Sequence, residues 1–139
     1  MTLISFHERG NTPFQQLLGY NELILKYWNK LGNEFEKDGQ LSAKLKEEVR
    51  RALAQKNGCL YCKAKGKPNP INYDEKTAIC TGFAEAFLIS KGQTSPNVTE
   101  VLKEYLTDAE ISELIAFICF TTASQYFGAL MQLAEQQNT

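Results

Sequence analysis

Apolar residues recur three and four positions apart from Phe14 to Leu133, and that periodicity confines the chain to an all-α architecture. Thr12 before Pro13 is an N-cap followed by proline at the first helical position. Phe14, Leu17, Leu18, Ile24, Leu25, Trp28, Leu31 and Phe35 predict one amphipathic helix over residues 13–35, weakened by Gly19 and Gly32. Ser42 caps a second helix with an apolar stripe of Leu45, Val49, Ala52 and Leu53. Glu47, Glu48, Arg50 and Arg51 lie mostly off that stripe, and Asn57 and Gly58 stop the helix. A short helix begins at Cys59, and residues 66–70, with Gly and two prolines, form a loop. A third long helix opens at Asn72 or Tyr73 and closes at Lys91 and Gly92. Ser95 and Pro96 begin another that reaches about residue 106. Thr107 and Glu110 form a capping box for the last helix, one side of which carries Ile111, Leu114, Ile115, Ile118, Thr122, Tyr126 and Leu133. No run alternates apolar and polar residues over the length of a strand.

The last helix is apolar on more than one side, since Ala116, Phe117, Cys119, Phe120 and Phe127 lie off its main stripe. Such a helix is the centre of a bundle or part of a subunit interface, so a homo-oligomer is expected. The 139 residues fit one domain, residues 1–139. A net charge of -1 gives no basic excess, so nucleic acid is not an expected partner. The first ten residues lack a basic segment followed by an apolar run, so no secretory signal is expected. Residues 111–133 come closest to a membrane span, but Glu113, Ser124, Gln125 and Gln132 interrupt them. The expectation is a cytoplasmic protein with no membrane partner and reduced thiols, in which cysteines are catalytic, metal-binding or buried.

Of the four cysteines, Cys59 and Cys62 stand three apart with Leu60 and Tyr61 between them. On a helix this spacing puts both sulfurs on one face, close enough to bond and part without large motion. At a helix N-terminus the free N–H groups favour a thiolate, which makes Cys59 the more acidic thiol, and Lys63, Lys65 and Lys67 add positive potential. A redox dithiol needs only this pair. A zinc site needs four ligands, and Cys80, Cys119 and His7 each stand alone. Cys80 and Cys119 sit in apolar helical contexts and are expected in the core; His7 is expected to be solvated. A pair kept only for packing is the third reading.

The stretch from Leu41 to Cys62 resembles the core of the carboxymuconolactone decarboxylase/AhpD-like (alkylhydroperoxidase D-like) family. Glu47 stands twelve positions before Cys59, and Asn57-Gly58 directly precedes the Cys-x-Tyr-Cys string. Residues 106–111 and the helix after them are similar to the family's closing helix, so the resemblance covers roughly residues 40–135. It implies an AhpD-like helical bundle that assembles into trimers or hexamers through its long helices. It also implies a thiol-dependent peroxidase or disulfide reductase in antioxidant defence, with a thiol electron donor and no bound cofactor. Carried over, Cys62 reacts with peroxide, Cys59 resolves, and Glu47 belongs to a proton relay. The redox branch places a histidine four residues after the second cysteine, and here that position is Gly66. Glu47 is equally readable as a solvated residue paired with Lys44 or Arg51. Two other functions stay open: a non-enzymatic or redox-sensing helical oligomer of the same fold, and a decarboxylase-like enzyme acting on a small molecule.

Overall fold

The computed structural model describes residues 1–135, and its regular elements are helices; no strand occurs among the described residues. The order is α1 (Pro13–Leu18), α2 (Glu22–Phe35), α3 (Ala43–Ala54), α4 (Leu60–Lys63), a 3-10 turn (Pro70–Asn72), α5 (Glu75–Ser90), α6 (Pro96–Tyr105) and α7 (Asp108–Leu130). The caps follow sequence chemistry. The side chains of Thr12, Ser42 and Asp74 accept the N–H groups of Gln15, Leu45 and Thr77. Thr107 and Glu110 make both bonds of the capping box. Asp74 itself is the cap of α5, two positions later than Asn72, because residues 70–72 close a separate turn.

The continuous helix expected over residues 13–35 is broken at Gly19. A β-carbon there would lie 2.2 Å from the Arg9 carbonyl oxygen, so the N-terminal segment crosses the chain at a residue without a side chain. The Arg9 guanidinium donates to the Gly19 carbonyl at 2.7 Å, satisfying a group the ending helix leaves free.

Helices α3, α5, α6 and α7 enclose the main core. Leu45, Val49 and Leu53 of α3 meet Cys80, Phe83 and Ala84 of α5, Leu102 of α6, and Leu114, Phe117 and Ile118 of α7. Burying an aliphatic side chain of this size contributes about 1.5–3 kcal/mol. The expected stripe of α7 is only partly the buried one. Leu114, Ile118 and Thr122 are buried, but Ile115 and Tyr126 are exposed, and Phe117, Thr121, Gln125 and Gly128 face inward. By length and composition α7 could cross a membrane, yet here it packs against α3, α4 and α6.

One buried charge braces this frame. Lys46 on α3 is 1% exposed, and its ammonium pairs with Glu113 of α7 at 2.7 Å and donates to the Lys37 carbonyl at 2.8 Å. The other Glu113 carboxylate oxygen accepts the Leu41 N–H at 2.9 Å. Burial raises the Glu113 carboxyl, but the Lys46 and backbone N–H bonds outweigh it and hold the group below the ordinary range.

A second, smaller cluster lies at the end of α7. Gln132 turns into the left-handed region (φ 57°), and the Leu133 N–H returns to the Gly128 carbonyl at 2.9 Å. Leu133, expected on the helix, therefore folds back beyond its end. It packs with Leu17, Ala54, Cys59, Tyr61 and Cys62. The Leu3 N–H meets the Met131 carbonyl at 2.9 Å, so the first residues run beside this turn.

Candidate functional site

Cys59 is the N-cap of α4, and its Sγ accepts the Cys62 N–H at 3.1 Å. That bond turns both sulfurs to one side, and they are joined as a disulfide with Cα atoms 5.2 Å apart. Gly58 makes the entry to α4 with φ 77°, a backbone region that glycine adopts freely. The pair rests on α7 at Gly128, where a β-carbon would stand 2.6 Å from the Cys59 Sγ.

The two sulfurs differ in access. Cys59 is 1% exposed and sits in the cluster behind α4. Cys62 is 8% exposed and lines a cleft of about 520 Å³ between α2, α3, α4 and α7. One wall is aromatic: Trp28 and Phe35 of α2 pack on Phe120 of α7, and the Trp28 indole N–H donates to Ser124 Oγ at 3.1 Å. The opposite wall is polar, with Glu47, Arg50 and Lys65.

Glu47 therefore faces the same cleft as Cys62. Its partners are Arg50, whose Nε donates to both carboxylate oxygens at 3.0 and 2.9 Å, and Arg51, whose Nε stands at 3.2 Å; they are not Lys44. Burial raises the Glu47 carboxyl, but the two guanidinium groups outweigh it and keep it below the ordinary range. Glu47 is thus a fixed carboxylate, weakly suited to taking up protons near neutrality.

Arg50 is the residue that sequence reasoning passed over. Its Nη1 donates to the Cys62 carbonyl at 3.0 Å while Nε and Nη2 hold Glu47. Its own carbonyl accepts Gln125 Nε2 at 3.2 Å, and Gln125 Oε1 accepts buried Asn57 Nδ2 at 2.7 Å. Asn57, expected only to stop a helix, links α7 to the residue before the Gly58 turn. On the far side of Cys62, the Lys65 ammonium lies 4.6 Å from the centre of the Tyr61 ring. Partial burial and then the Arg50 charge lower the pKa of this otherwise exposed lysine.

Gly66 has φ 134°, and a β-carbon there would meet the Arg51 guanidinium carbon at 3.2 Å. The backbone at this position is thus shaped for glycine. Gly66→His is expected to lower stability by about 2 kcal/mol without raising turnover, as thermal melts and a peroxide assay would read; a folded, faster variant would refute this. His7 is half-buried rather than solvated, its Nδ1 accepting the Arg9 N–H and its ring edge on Tyr20.

Cys80 is in the core, where burial pushes its thiol up to about 12. Cys119, also expected there, is exposed on α7, because the buried face of that helix is rotated toward Phe117 and Thr121. No group of three or more His, Cys, Asp and Glu comes together as metal ligands among the described residues. No protein-family model matches the chain, and no curated protein or solved structure shows significant similarity to it.

Proposed function

We propose that this chain is a thiol-dependent oxidoreductase whose Cys59–Cys62 pair reduces peroxides or disulfides. The observation that carries the reading is a joined pair with one sulfur, that of Cys62, on a cleft and the other behind it. The resemblance of residues 41–62 to the carboxymuconolactone decarboxylase/AhpD-like family supports the same activity and the corresponding bundle.

In the peroxide reaction the Cys62 thiolate attacks the distal oxygen of ROOH. The O–O bond breaks, the RO⁻ leaving group takes a proton to become ROH, and Cys62 is left as a sulfenic acid. The Cys59 thiol attacks that sulfur, the S–O bond breaks, and water leaves as the disulfide forms. A dithiol donor, protein or small molecule, then returns two electrons and two protons and becomes a disulfide itself. With a disulfide substrate, Cys62 forms a mixed disulfide and Cys59 releases it. Neither route calls for a bound cofactor.

Self-association into a trimer or hexamer belongs to this proposal. The outer face of α2 exposes Leu23, Ile24, Tyr27 and Leu31, and α7 exposes Ile115, Tyr126 and Leu130, which supports an apolar contact between copies. We place the protein in the cytoplasm, where thiol donors keep such a pair cycling, with no membrane or nucleic-acid partner.

The test is a pH titration of alkylation at Cys59 and Cys62 in the reduced protein, run beside peroxide and disulfide consumption. The expected result is faster modification at Cys62, an apparent pKa below that of free cysteine, and sustained turnover with a dithiol. Ordinary values at both sulfurs with no consumption would rule the enzyme out. The seclusion of Cys59 favours one other reading, a redox sensor of the same fold. A sensor oxidises quickly and shows no turnover with any reductant.

A further inference from the structure

Resting on that reading of the pair, we infer that Arg50 is the positioning residue that holds Cys62 as a thiolate in the reduced protein, and that Glu47 serves to aim Arg50 rather than to relay protons. The guanidinium is anchored on the cysteine's own residue, through the bond from Nη1 to the Cys62 carbonyl. Its other edge is clamped by Glu47, and its backbone by Gln125. The Arg50 side chain is 17% exposed, so its charge is poorly screened by water. An arginine stays charged across the whole working range of pH.

The other groups around Cys62 do not supply this field. From α3, Lys46 is turned to Glu113 and the Lys37 carbonyl, and Arg51 to Glu47 and Glu48; neither bonds to the Cys62 residue, as Arg50 does. Just past α2, Glu36 contributes a negative charge, and α7 offers only the uncharged Thr121, Ser124 and Gln125. Lys65 follows α4, and its ammonium is turned onto the Tyr61 ring. On α4 itself, Lys63 is exposed at the helix end and Tyr61 has its ring under Lys65.

The experiment reads the apparent pKa of Cys62 by site-resolved alkylation in wild type, Arg50→Met, Arg50→Lys and Glu47→Gln, with buried Cys80 as an internal check on folding. Arg50→Met is expected to raise the Cys62 pKa by about one unit. Its peroxide rate at pH 7 falls by about twofold, the loss of thiolate being partly offset by greater nucleophilicity. Arg50→Lys restores most of the pKa. In Glu47→Gln the amide oxygen still accepts from the guanidinium, so Arg50 stays on the Cys62 carbonyl while a negative charge is lost, and the pKa falls further, a shift that general damage to the fold would not give. An unchanged Cys62 pKa in folded Arg50→Met overturns the inference. If Arg50→Met does not fold, Arg50→Gln takes its place, and an unchanged Cys62 pKa there overturns the inference. The proposed activity fails separately: a wild type without turnover whose Cys62 pKa still follows these substitutions keeps the role of Arg50 and loses the enzyme.

Discussion

A Cys59→Ser chain is expected to consume about one equivalent of peroxide per subunit and then stop, leaving a sulfenic acid on Cys62. Cys62→Ser should consume none by this route. The asymmetry follows from placement, since Cys62 opens on the cleft and Cys59 lies behind it at 1% exposure. Serine matches cysteine closely in size, and the Cys59 side chain already accepts the Cys62 N–H, a bond a hydroxyl can also accept. Both variants should therefore keep α4 and fold. Peroxide consumption followed by mass measurement of the intact chain distinguishes the cases. Sustained cycling in Cys59→Ser would show that the pair does not resolve as a unit.

The second large effect concerns stability. Glu113→Leu is expected to cost about 3–5 kcal/mol in urea unfolding, because it leaves the Lys46 ammonium buried with only the Lys37 carbonyl as partner. Lys46→Met combined with Glu113→Leu should recover most of that loss, since the desolvation of both charges disappears with them. The pH dependence has a definite sign. The Glu113 carboxyl is held below its ordinary value in the folded chain, so its contribution is complete above the unfolded carboxyl pKa of about 4.3 and is lost as pH falls through the lower folded value. The double variant should show a shallower loss of stability in acid. An equal acid slope in both proteins would show that this pair carries none of it.

The parts of the fold legible in the sequence were those written in local chemistry. Ser42, Thr107 and Glu110 cap as their spacing requires, and the α3 stripe of Leu45, Val49, Ala52 and Leu53 is buried because polar residues flank it on the helix. The inward face of α7 was misread for the opposite reason. With apolar residues on every side, periodicity cannot distinguish Ile115, which is exposed, from Phe117, which is buried. The break at Gly19 depends on Arg9, ten residues away, and the burial of Lys46 on Glu113, sixty-seven residues away. Neither leaves a local mark. In the site, the spacing of Cys59 and Cys62 announced their joining, and Glu47 does face the same cleft. Arg50 escaped notice because an arginine on the polar face of an amphipathic helix looks like any solvated one; only the fold brings α4 over it.

The turn after α7 has a practical bearing on how the cysteine pair is covered. Leu133 and Leu17 close the rear of the pair, while the cleft serves its front. Loss of the Leu133 side chain would thin the cover over Cys59 from behind, without touching a residue of the cleft. Small thiols could then strike either sulfur, and the order of events at the two cysteines would be set by diffusion instead of by architecture.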